Sequence, residues 1–174
     1  MNNKTLIILF LPVLISCKNE VQEIENRAKK EESIQKALVD VNQYMTRRNM
    51  KHIQNFVRRS EWPMKRTQTG LWYWVYDSVG AQGVEENDIV SYSYTRRLIN
   101  GALLDSIPKE KPVAVQLGQG GIERGIEEGL LKMTIGSKAK FILPPHLAFG
   151  NFGDMENVPP GAILIYDVYL QNKK

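Results

Sequence analysis

Three hydrophobic rhythms follow one another along this chain. An almost unbroken apolar run, TLIILFLPVLIS, fills residues 5–16. From Lys18 onward apolar residues recur at Ile24, Ala28, Ile34, Leu38, Val41 and Met45, near a period of about 3.5 to 3.6. That spacing, with no glycine or proline between Lys18 and Pro63, predicts one long amphipathic helix and a shorter second one through His52, Phe56 and Val57. Asn49 marks the expected break between them. The stretch SEWPMKRTQTG then reads as linker, punctuated by Pro63 and Gly70. After Gly70 the period falls to two. LWYWVY (71–76), IVSYSYT (89–95), VAVQL (113–117), KAKFIL (138–143) and ILIYDVYL (163–170) are rich in aromatic and β-branched residues and read as strands. Asn100-Gly101, Gly118 and Gly136 lie between them as turns.

One helix interrupts the strands, over Ile122–Met133. Ile122, Ile126, Leu130 and Met133 share a face, and Gly125 and Gly129 let the backbone come close to a neighbour. The pattern is α+β: a twisted antiparallel half-barrel sheet wrapped on one short helix, preceded by a helical N-terminal stem. The expected organisation is a leader over 1–16, a stem over 17–61, a linker and leading strand over 62–84, and a catalytic or binding domain over 85–174.

Composition narrows the classes. The chain has 174 residues, 43% hydrophobic and 24% charged, with a formal net charge of +4. The basic residues scatter in pairs such as Arg47-Arg48 and Arg96-Arg97, so no concentrated face for nucleic acid is expected. The apolar run is too short to span a bilayer, and a short positive segment precedes it, as in an export signal. Leu14-Ile15-Ser16-Cys17 resembles a bacterial lipobox, which implies cleavage before Cys17 and lipid on its sulfur. A single cysteine cannot form an internal disulfide, which fits its use as an attachment point. The expected location is the cell envelope, lipid-anchored and facing the periplasm. The stem reads either as a spacer or as a surface for self-association, since only a short heptad pattern supports pairing.

Candidate chemistries fall away in turn. LGQGGIERG has Glu123 where a dinucleotide fingerprint needs its last glycine. His52 and His146 are far apart in sequence and no carboxylate cluster joins them, so no metal is expected. Nucleophilic catalysis would need a base beside a serine or cysteine, and the one cysteine is at the N-terminal end. No cofactor is expected either.

GIERGIEEGLLKMTIGSKAKFILPP, HLAFGNFG, VPPGAILIYDVYL and the upstream VSYSYTRRLINGALLDS resemble, in order and spacing, the FKBP-type peptidyl-prolyl cis-trans isomerases. With the lipobox and stem, the chain is similar more narrowly to the family's lipoproteins associated with gliding motility in Bacteroidetes. The resemblance implies isomerisation of prolyl bonds in exported proteins, gliding-motility components among them. The alternative is a noncatalytic binding module or chaperone that keeps the cleft. It also implies a site: Tyr94, Asp105, Ile122, Phe149 and Tyr166 in the chemistry, with Leu104, Val113, Ile126 and Val158 lining the substrate cleft. Ile122 would present its backbone N–H to a substrate carbonyl, and the Tyr94 hydroxyl would hold Asp105. Taken on their apolar character alone, most of these positions equally predict core packing. Departures from the family are Ile126 in place of a floor tryptophan, Leu104 and Val113 in place of phenylalanines, Phe149 in place of a tyrosine, and Glu123 in place of an apolar residue.

Overall fold

The computed structural model describes residues 13–78 and 82–173, with side chains from residue 22 onward. Most of the expected leader and the side chain of Cys17 lie outside the described residues. Helix α1 (Val13–Ser60) continues through Asn49, where a break was expected. No helix breaker is present there, and an interior asparagine costs a helix only about 0.7 kcal/mol relative to alanine. The helix stops at Glu61, which adopts the left-handed conformation (φ 57°) common just past helix ends. Arg58 and Arg59 occupy the last turn, where cations suit the carbonyl end of the helix dipole.

The chain forms two compact units, the first ending at Arg47 and the second beginning at Arg48. In the first, Ile24, Ile34, Leu38 and Val41 of α1 are 67, 49, 58 and 58% exposed. In the second, the remaining turns of α1 bury Ile53 against Ile142, Ile163 and Ile165, with Phe56 and Val57 alongside. The compact unit thus begins inside the segment expected as stem. Trp62 and Met64, expected in the linker, join the same cluster. The reason is mutual: an amphipathic helix and a sheet face each have apolar surface that only a second layer can cover.

The strands are β1 (Lys65–Arg66), β2 (Trp72–Asp77), β3 (Ile89–Leu98), β4 (Leu103–Ile107) and β5 (Val113–Gln116), followed after α2 (Arg124–Leu130) by β6 (Lys138–Leu143) and β7 (Leu164–Lys173). They form one antiparallel sheet in the order β1-β2-β6-β7-β3-β4, with β5 also on β3. In β6, Phe141 and Leu143 enter the main core with Ile126 and Leu130 of α2, while Ile142 enters the cluster beneath α1. A run of three fully buried residues in β6 is what a strand covered on both faces requires. Helix α2 is shorter than the expected 122–133, its last turn giving way to hydrogen-bonded turns at Lys132 and Met133.

Candidate functional site

The register of β3 builds the site. Arg96 pairs across the sheet with Asp105 of β4 on one side and with Tyr166 of β7 on the other. Cross-strand neighbours share a face. Tyr94, two residues before Arg96, therefore shares that face as well. The Arg96 guanidinium forks onto Asp105, Nε to Oδ1 and Nη2 to Oδ2, both at 2.8 Å. Its Nη1 donates to Glu123 Oε1 at 3.2 Å and to the Tyr166 hydroxyl at 3.4 Å, and the Tyr166 hydroxyl itself donates to Glu123. Above the guanidinium lies the Phe149 ring, its centroid 5.1 Å away, a cation–π distance. The Arg96 side chain is 10% exposed, Glu123 15% and Asp105 37%.

Glu123 is the residue before the first turn of α2, and its backbone carbonyl accepts the N–H groups of Ile126 and Glu127. Its side chain makes no cap to the helix. The carboxylate is diverted across to Arg96 and Tyr166, where a charge-assisted bond is stronger than a neutral one. Burial, then the Glu123 charge, pushes the Tyr166 hydroxyl far above its ordinary pKa. Tyr94 is raised in the same way, by burial first and by Asp105 second. Both remain neutral donors at any physiological pH. For Arg96 burial works most strongly against the charge, yet Asp105 and Tyr166 together outweigh it and the pKa is raised.

The apolar members of the expected site pack on one core and Asp105 joins the Arg96 cluster, with one adjustment. Tyr94 reaches Asp105 at 3.4 Å, a long contact for a hydroxyl donor, so the principal restraint on Asp105 is Arg96 and not Tyr94. Ile126, Val158 and Tyr166 are 0, 4 and 1% exposed, whereas Tyr94, Leu104, Val113, Ile122 and Phe149 are half-buried against the main core. Tyr94 packs on Tyr166 with ring centroids 5.4 Å apart and on Tyr92 at 5.9 Å. Sequence reasoning missed Arg96 altogether and met Glu123 only as a departure. A signal was present: Arg96 continues the face of Val90, Tyr92 and Tyr94 at period two, and a charge on a core-facing position demands a partner.

Asp154 orders the loop that carries Val158. Its Oδ1 accepts the backbone N–H groups of Glu156, Asn157 and Val158 at 3.0, 2.8 and 2.7 Å. These bonds close the loop that carries Val158. Gly153 in the same loop has φ +72°, and a Cβ there would lie 2.0 Å from the Val158 carbonyl oxygen. Among the described residues no helix is long and apolar enough to cross a membrane, and no group of three or more His, Cys, Asp or Glu could hold a metal ion. A surface cavity of about 340 Å³ lined by Lys65, Trp74 and Lys132 shares no residue with the Arg96 cluster.

The family model for FKBP-type peptidyl-prolyl cis-trans isomerase matches residues 80–171. FK506-binding protein 2 of Yarrowia lipolytica is 32% identical over 112 residues, 64% of this chain and 78% of that protein. A probable FKBP-type peptidyl-prolyl cis-trans isomerase of Haemophilus influenzae is 35% identical over 106 residues, 60% of this chain but 43% of that protein. The chain therefore spans most of the first relative and less than half of the second. Among solved structures, FkpA from Escherichia coli superimposes with a TM-score of 0.64 at 26% identity, covering 97% of this chain and 84% of that one.

Proposed function

The chain belongs to the FKBP-type peptidyl-prolyl cis-trans isomerase family, and from that premise we propose that it isomerises prolyl bonds of exported proteins in the cleft over Arg96. The observation that carries the reading is an aromatic face of Tyr94, Phe149 and Tyr166 gathered around Arg96, whose fork holds the half-exposed Asp105 carboxylate. Rotation about an X-Pro bond faces a barrier of roughly 18–20 kcal/mol because amide resonance is lost, and no covalent bond breaks. No nucleophile is needed. The twisted amide is less polar than the planar one, so a dry aromatic cleft with few oriented polar groups binds it better than the ground state. In this reading Ile122 offers its backbone N–H to the substrate carbonyl, Leu104, Val113, Ile126 and Val158 shape the apolar walls, and Asp105 is the polar wall group. Phe152 and Met155, 79 and 90% exposed on the loop beside the cleft, give a protein client apolar surface to rest on.

The test is conversion of a cis prolyl peptide to trans, measured over the uncatalysed rate. Wild type is expected to accelerate it, and Asp105→Asn to lose about ten- to hundredfold, since a lost charged bond of about 1.5–3 kcal/mol at a positioned group is worth that much. A wild type that binds a prolyl peptide and leaves its rate at background would make the chain a binding module instead.

Leu14-Ile15-Ser16-Cys17 supports an envelope location with lipid on Cys17, and from the same lipobox and stem we propose clients among gliding-motility components. Mass spectrometry of the chain from membranes is expected to find an acylated Cys17. An unmodified N-terminal peptide would rule out the anchor.

A further inference from the structure

We infer that Glu123 makes the cleft select prolyl substrates by charge, favouring a basic residue before the proline and rejecting an acidic one. This rests on the isomerase reading of the same cleft. Among the described residues, Arg96 is the cation paired with either carboxylate of the cluster, and it faces two of them, Asp105 and Glu123. The pairing leaves one negative charge in excess. The hydroxyls of Tyr94 and Tyr166 complete the ring as neutral donors. Arg124, the nearest other cation in sequence, is exposed and outside this bonding.

Exposure sharpens the asymmetry. The single cation lies under the Phe149 ring at 5.1 Å with its side chain 10% exposed, while Asp105 is 37% exposed and Glu123 15%. Asp105 therefore offers a ligand more surface than the guanidinium does, and the Glu123 carboxylate adds its charge from within the cluster. Charge in a cleft with low-dielectric walls acts more strongly than on open surface. An apolar residue at position 123 would leave Arg96 and Asp105 neutral as a pair. Glutamate there tips the balance, and specificity is a difference between two substrates, set as much by the rejected partner as by the accepted one.

The experiment uses the full chain and three peptides differing only in the residue before proline, lysine, leucine or glutamate. Both kcat/KM for isomerisation and Kd by fluorescence anisotropy are measured at low and high salt. The lysine peptide is expected to exceed the glutamate peptide by about tenfold at low salt, with leucine between, and the ratio to shrink at high salt as charges are screened. Glu123→Gln, which keeps size and can still accept from Arg96 and Tyr166, is expected to bring the ratio to within about threefold. A wild-type ratio near one at low salt overturns the inference and leaves the isomerase reading standing. So does a ratio that Glu123→Gln fails to move. If that variant does not fold, the salt dependence of the wild-type ratio decides. Peptides that bind without acceleration overturn the isomerase reading alone, and the Kd ratio then decides the charge preference. No binding by any peptide overturns both.

Discussion

Asp154 accepts three successive backbone N–H groups, and these bonds, Val158 first and Glu156 next, hold its carboxyl below the ordinary 3.8. A carboxyl depressed in the folded state contributes stability that is full above its unfolded pKa and is lost as pH falls through the folded one. The difference in Tm between wild type and Asp154→Ala is therefore expected to be constant above about pH 5 and to shrink as pH drops below 3.8. A difference that persists unchanged into strong acid would mean that the loop does not depend on the ionised form. At the same scale Arg96 explains how far the site was legible. Tyr94, Asp105, Phe149 and Tyr166 are reached through the family resemblance, whose motifs run along the chain and need no knowledge of strand pairing. The resemblance names no role for Arg96. Its role comes from register, which sets Asp105 and Tyr166 on its two sides, and register is decided by pairing partners far away in sequence. Glu123 was hidden for a related reason, because its partners belong to β3 and β7 while its own segment shows only the start of a helix.

Helix α2 is held close to the sheet by what two of its residues lack. A Cβ on Gly129 would lie 2.6 Å from the Phe141 ring, and one on Gly125 would lie 2.5 Å from Leu143 Cγ. Alanine is the better helix former by about 1 kcal/mol, yet Gly129→Ala is expected to destabilise the domain by about 1–3 kcal/mol, because the ring and the helix must part in a closed core. Denaturant unfolding measures it, and a gain in stability would show that the interface can yield. Spacing alone had placed these glycines correctly, as it had placed β6, since apolar periodicity and close approach are local signals. β4 was not read as a strand. Leu103–Ile107 is a half-exposed edge carrying Asp105 and Ser106, and its pairing follows from the Asn100-Gly101 turn, where Leu98 N–H reaches the Ala102 carbonyl at 2.9 Å, more than from its own composition. The unbroken α1 was missed for the opposite reason, a polar residue having been given more weight against a helix than its energetics warrant.

Two apolar layers on one sheet set where the folded unit begins. The cluster beneath α1 buries Ile53 to 1% exposed, with Ile142, Ile163 and Ile165 at 0, 5 and 8%. Cutting the chain before Lys65 would remove Ile53, Phe56, Val57, Trp62 and Met64 together and open that face of the sheet to water. Replacing even one buried isoleucine by alanine typically costs about 2–5 kcal/mol, a large share of a domain's net stability of about 5–15 kcal/mol. Cutting before Arg48 removes none of these contacts. It does remove Ile24, Ile34, Leu38 and Val41, whose exposed side chains recur on α1 at helical spacing and are the surface through which we propose that the chain self-associates. Sequence reading put the boundary near residue 61 because composition changes there, whereas the fold puts it where apolar surface finds cover. Three chains separate the roles. The full chain and one starting at Arg48 are expected to unfold cooperatively with similar midpoints, and only the full chain to sediment above monomer mass. A chain starting at Lys65 is expected to unfold at much lower denaturant or to aggregate. Equal midpoints for all three would make the end of α1 dispensable to the domain, and monomeric full chain would remove the proposed role of the exposed stripe.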